Sequence, residues 1–374
     1  MLPVSSAPAA PSAASEARGA EDQAGRWLFA DVLRCAGTLA VIGIHSCYKL
    51  FYMIGELPLD RWLAINFWES CARWAVPVFF MLSGMLLLGS GREESLRTLL
   101  LRRLPRLLVP LLLWSEVYLL WINRENIVNR QPFSFVEGLK WIYHTNVFLH
   151  LWFLYALIGI YLSIPVVRYF SRAATPAQKW FFVAGWFFFN GVLGVVEFFQ
   201  ELKFGISVPV FNLYLGYFVL GAWLPGVAFT QPQRRLLYAG LGLSVAGIFY
   251  GTYWLRQHGY HLELFYEYWA PPVMLSAVGL FVGARALPWQ RWLPAGSGRA
   301  KLLREISGLT FGVYLSHVLV LEMLSEGWWF PEKITANSVH PLLGIPLLSL
   351  VVFVVCLVLA KGLRAVPGLR WLAP

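Results

Sequence analysis

Residues 27–52 read WLFADVLRCAGTLAVIGIHSCYKLFY. A helix crosses the hydrocarbon core of a bilayer in about 20 mostly apolar residues, and this stretch is long enough to do so. Its apolar residues run on continuously and do not alternate. Lipid offers the backbone no hydrogen bonds, so a spanning segment is a helix or belongs to a closed barrel. A continuous run decides for the helix.

Working outward, the same criterion selects residues 62–88, 104–121, 147–170, 180–200, 208–225, 236–255, 268–287, 306–329 and 341–360. The expected fold is therefore all-α, a polytopic membrane protein of about ten transmembrane helices. Internal prolines such as Pro77, Pro110, Pro165 and Pro272 need not end helices inside a membrane. The composition agrees: 58% of the 374 residues are hydrophobic and 13% charged, where a soluble domain has about 25% charged.

The formal charge of +10 does not point to nucleic acid. The basic residues sit at the ends of apolar runs, as the positive-inside rule requires, and not on one soluble face. With residues 1–25 inside, inner segments hold twenty Lys and Arg and outer segments seven. Both termini are therefore expected in the cytoplasm. Residues 1–25, rich in Ala, Ser and Pro, read as a disordered cytoplasmic tail. They lack the basic and apolar regions of a signal peptide. Residues 26–362 form the membrane domain and 363–374 a cytoplasmic C-terminal tail. The largest outer loop is 123–146. Cys35, Cys47, Cys71 and Cys356 lie within apolar runs without a CxxC spacing. They read as packing residues, and no metal site is expected.

Charge inside hydrocarbon is costly and marks either a partner or a function. In the first helix, Arg34 and His45 are eleven positions apart. That spacing puts them on one face, about 16 Å apart along the axis, with His45 deeper. A cation at the entrance and an acid–base group farther in suit a long anionic cofactor entering from the cytoplasm. Asp31 and Arg34 could equally form a local i,i+3 pair, with His45 a satisfied core histidine. In the second helix, Glu69 and Arg73 have i,i+4 spacing and could pair with each other. Pro77, Ser83 and Gly84 follow and would allow a kink and close packing. Arg103 and Arg106 precede the third helix. Arg suits phosphate, although arginines here also serve as cytoplasmic anchors. Trp152 and Tyr155 open the fourth helix and could be interfacial belt residues. His317 falls near mid-membrane in the ninth, with Glu322 beyond it, and adds a second group able to handle protons.

Six segments carry a family resemblance. They are DVLRCAGTLAVIGIH with its Arg-x10-His pattern at Arg34 and His45, VPVFFMLSG, Arg103-x-x-Arg106 within RRLPR, HLWFLYALIGIYL, YLGYFVLGAWL and LTFGVYLSH. In this order along ten spans, they resemble the acyltransferase 3 family of bacterial integral membrane O-acyltransferases. The resemblance implies an acyl-CoA donor, usually acetyl-CoA, and a hydroxyl acceptor on a surface or lipid-linked glycan. It implies that Arg34 and His45 are the catalytic pair, with His45 either the general base or the carrier of the acyl group. Arg103 and Arg106 would hold the CoA phosphates. Asp31, Arg73, Trp152, Tyr155 and His317 would support the site. No extracellular hydrolase-like domain is appended, so a stand-alone unit of the bacterial inner membrane is expected. The rival reading is a proton-coupled transporter or flippase, which also uses intramembrane His and Arg. No inverted repeat supports it.

Overall fold

The computed structural model describes residues 13–89, 95–130, 134–144, 146–206, 208–294 and 296–374. Among them there are helices and no strands. Nine helices are long and apolar enough to cross a membrane. In chain order with one shorter helix they are α1 (Ala13–Phe51, apolar over Leu28–Phe51), α2 (Leu59–Leu87), α3 (Leu96–Ile122), α4 (Leu149–Ala173), α5 (Pro176–Gln200), α6 (Leu213–Gly226), α7 (Gln231–His258), α8 (Leu264–Ala286), α9 (Gly298–Ser325) and α10 (Pro341–Ala365). Helix α1 reaches back to Ala13, into the segment expected to be a disordered tail. Residues 1–12 of that segment, and Arg92 among the inner cations, lie outside the described residues.

The short member is α6. It has eleven α-helical residues and a three-residue 3-10 turn, about 21 Å of helix against a core of about 30 Å. The apolar run from 208 is longer than this, but Asn212 caps the helix by accepting from the Leu215 amide at 3.1 Å. The two ends of α6 nevertheless meet opposite ends of their neighbours. Trp223 Nε1 donates to Ser171 Oγ at 2.8 Å near the end of α4. Pro225 and Gly226 share a cavity wall with Phe29, Gly89 and Arg285. At its other end the Tyr217 hydroxyl donates to the Tyr268 carbonyl, 2.6 Å away, near the start of α8. The chain thus returns through the bundle along α6. Arg34 early in α1 and Arg364 late in α10 line one cavity, so both ends of the membrane domain lie on the same side.

Helices α2 and α9 form the centre: 67% of each spanning window is buried, against 17% for α5 and α7 at the periphery. Helix α1 packs along α9, α2 and α10. Small residues let α2 and α6 touch backbone to backbone. A Cβ on Gly84 would fall 1.7 Å from the Phe218 carbonyl oxygen, and one on Gly221 would fall 1.8 Å from that of Met81. The helical path of α2 is interrupted at Arg73–Trp74. Pro77 is the cause, since it has no N–H for the Arg73 carbonyl four residues earlier. The break sets Arg73 at mid-helix facing the interior. Pro110 and Pro165 remain inside continuous helices.

The 123–146 loop is folded in part. A helix over Phe135–His144 packs Gly138 against Leu119 of α3, and Arg124 pairs with Glu326 beyond α9. The tail after α10 is also folded: it turns at Gly368 (φ 91°) and runs back under the bundle as a 3-10 turn over Leu369–Leu372.

Candidate active site between two cavities

Helix α1 carries Arg34 and His45 to two different cavities. The inner one has a volume of about 820 Å³. Arg34, Thr38, Arg106, Thr310, Arg364 and Arg370 line it, above them an apolar throat of Phe79, Leu82, Leu86, Phe153, Leu157 and Tyr314. The outer one is smaller, about 130 Å³, and its wall includes His45, Tyr48, Glu69, Arg73, His150, Trp152, Glu263 and Tyr268. Phe153 and Tyr314 border both cavities. One aromatic layer therefore divides a cationic chamber at one end of the bundle from a histidine-bearing pocket at the other.

Three imidazoles gather beside that layer. The ring of His45 lies 5.1 Å from His317 and 6.1 Å from His150, centre to centre, and His150 lies 5.2 Å from His317. Two imidazoles joined by a hydrogen bond have centres about 5 Å apart, so each ring is within about one hydrogen bond of the next. His317 Nδ1 is 2.6 Å from the Tyr314 carbonyl. A carbonyl only accepts, so Nδ1 donates and Nε2 keeps a bare lone pair. His150 Nε2 faces the Leu315 carbonyl at 3.4 Å, which by the same argument leaves Nδ1 bare. His317 Nε2 and His150 Nδ1 are buried without a hydrogen-bond partner among the described residues. Two free acceptors thus stand beside His45. Among the described residues no group of three or more His, Cys, Asp or Glu has the geometry to hold a metal ion.

The surroundings fix these rings. The Tyr314 hydroxyl donates to the His150 carbonyl. The Tyr118 hydroxyl bridges α9, donating to the Leu315 carbonyl at 2.9 Å and accepting from the Leu319 amide at 3.2 Å. On the wall of the outer pocket, Arg73 donates to Glu69, its guanidinium lies 4.1 Å over the Tyr266 ring, and the Cys47 thiol donates to Glu69 Oε1 at 3.2 Å. In the inner cavity, Arg34 pairs with Asp31 at 3.3 Å, and Asp31 also accepts from the Ser307 hydroxyl at 2.7 Å. The local pairing of Asp31 with Arg34, and of Glu69 with Arg73, is therefore present. It orients both arginines on their cavity walls without removing them from use.

Of the residues selected from sequence, Arg34 and Arg106 reach the inner cavity and Asp31 holds Arg34. His45, Arg73 and Trp152 reach the outer one, and His317 stands fully buried behind His45. Arg103 and Tyr155 are on neither wall. Arg103 ends a π-helical turn over Leu99–Arg103, and the Tyr155 hydroxyl ties α4 to the outer-loop helix through the Ile142 carbonyl at 2.8 Å. Glu322 pairs with Lys49 at the outer end. Sequence reasoning missed His150, Phe153, Tyr314 and Arg370. His150 and Tyr314 both fall in segments that carry the resemblance, HLWFLYALIGIYL and LTFGVYLSH, and that was the available signal.

The acyltransferase 3 family model, described as an acyltransferase domain, matches residues 27–361. The chain belongs to this family. Comparison with curated proteins and with solved structures found no match. As a family member it is a multi-pass membrane acyltransferase. The match ends before Arg364 and the tail residues on the inner cavity wall, and includes every other residue that lines the two cavities.

Proposed function

We propose that this acyltransferase takes an acyl group, acetyl in the simplest case, from cytoplasmic acyl-CoA and transfers it to a hydroxyl of a surface or lipid-linked glycan at the opposite face of a bacterial inner membrane. The observation that carries the reading is the pair of cavities meeting at Tyr314 and Phe153, arginine-lined on one side and histidine-bearing on the other. The charge bias of the loops supports an orientation with the arginine-lined cavity facing the cytoplasm.

In this reading the CoA phosphates rest near Arg34 and Arg106, and Arg103 shapes the turn that leads to Arg106. The acyl-bearing arm runs up the apolar throat to the aromatic layer. The acceptor enters from the outer pocket, where Trp152 and Tyr268, whose rings stack at 5.7 Å, offer a flat apolar face for a sugar ring. His45 takes the proton from the acceptor hydroxyl. The hydroxyl oxygen bonds to the thioester carbon, the carbon–sulfur bond breaks, and the proton passes to the departing thiolate. His317 and His150 supply the acceptors that stabilise a charged His45. A second route, in which His45 itself first takes the acyl group, uses the same residues and leaves a trappable acyl-imidazole.

Purified protein given acetyl-CoA and a glycan extract should release free CoA thiol only when both are present. A protein that binds acetyl-CoA but never releases thiol with any acceptor would contradict the reading.

A further inference from the structure

The inner cavity contains more cations than the sequence motif supplies: Arg364 comes from the last turn of α10 and Arg370 from the tail after it. Arg364 acts as a clasp. Its guanidinium donates to main-chain oxygens of Ala373, Gly308 and Pro374 at 2.6, 2.6 and 2.5 Å. Trp114 of α3 donates to the Leu372 carbonyl at 2.8 Å. Ala373 is fully buried, and a Cβ on Gly312 of α9 would lie 2.9 Å from its methyl. The tail is thus a fixed wall of the cavity, and Arg370 and Trp371 are part of the lining.

The arginines on that wall are not equivalent. Arg34 is matched by Asp31, and Nε and Nη2 of Arg364 donate to main-chain oxygens. Arg106 and Arg370 have no ion-pair or hydrogen-bond partner among the described residues, and both line the cavity from elements far apart in sequence. Two unmatched guanidinium groups at the mouth of one chamber are a site for an anion that needs several hydrogen bonds.

We infer that Arg370, held by the Arg364 clasp, forms with Arg106 the phosphate-binding pair for the donor. The inference rests on the acyl-CoA reading above. It makes the folded tail part of the donor site and gives Arg103 a smaller share in binding.

The test is the affinity of the full-length purified protein for CoA, measured by calorimetry. Arg370→Ala and Arg106→Ala should each weaken binding about tenfold or more, the usual loss for a charge-assisted hydrogen bond. Arg370 is exposed, so its replacement removes little packing. Arg370→Lys keeps the charge without the planar fork and should fall between Ala and wild type. Lys301→Ala, an exposed cation at the inner end of α9, should bind as wild type. Wild-type affinity in Arg370→Ala would overturn the inference and leave the acyl-CoA reading standing. An equal loss in Lys301→Ala would also overturn it, since the effect would then be general surface charge. Failure of the wild-type protein to bind CoA would overturn the acyl-CoA reading itself.

Discussion

The imidazole of His317 stands 5.1 Å from that of His45, centre to centre, although the two belong to helices far apart in the chain. His150 closes the cluster from a third helix. His45 and His150 both line the outer pocket, beside Trp152 and Tyr268, but only His45 is partly exposed there. His150 and His317 are buried, with His317 behind His45.

His45→Ala should fold, bind acetyl-CoA and lose transfer by about 10²–10⁴-fold, the usual contribution of a positioned base. His317→Ala and His150→Ala keep that base and should lose less, with an altered pH profile of transfer. A His45→Ala protein with near-normal transfer, beside an inactive His317→Ala, would assign the base to His317.

Tyr314 and Phe153 divide the cavities, so Tyr314→Ala should join them. Thioester then meets water from the outer pocket, and CoA release without acceptor should rise relative to acceptor-dependent release. Tyr314→Phe keeps the ring and loses only the hydroxyl bonded to the His150 carbonyl, so it should stay coupled. Equal coupling in Tyr314→Ala and wild type would remove Tyr314 from the partition.

Gly221→Ala should destabilise the bundle by about 1–3 kcal/mol or more, because the added Cβ meets the Met81 carbonyl and forces α2 and α6 apart. Gly159→Ala is the control, with no atom within 4 Å of the added Cβ. Thermal unfolding in detergent separates the two. Equal melting temperatures would mean that the α2–α6 contact is not close.

Glu69→Ala should be costlier than Glu69→Gln. Loss of the carboxylate leaves Arg73 largely buried without its partner, a change that costs about 3–5 kcal/mol for a buried pair. Gln retains a hydrogen-bond acceptor for the guanidinium. Comparable stability of both variants with wild type would show that Arg73 is solvated from the outer pocket.

A reporter active only outside the membrane, fused after Pro374, should be silent. The two ends of the membrane domain share one cavity wall, and the proposed orientation, drawn from the loop charges, has that side facing the cytoplasm. Strong reporter activity would reverse the orientation.

The fold was legible because membrane helices need length and apolarity, and both are local properties of the chain. Arg34 and His45 were legible because one helix holds both, so spacing alone sets their shared face. His150 was not, because it opens an apolar run as an interfacial residue would, and only the packing of α4 on α9 brings it to His317. Arg370 looked like one more cytoplasmic cation. Its place on the cavity wall depends on the turn at Gly368 and on the Arg364 clasp to Gly308, contacts between distant parts of the chain. The true length of α6 was hidden for a local reason, the Asn212 cap inside an otherwise apolar run.

The most direct test of the central claim is a paired measurement on wild type and His45→Ala: acetyl-CoA affinity, and free thiol released on adding a glycan acceptor. The account predicts equal affinity in the two proteins and acceptor-dependent thiol release in wild type alone. Acceptor-dependent release at a similar rate from both proteins would contradict it.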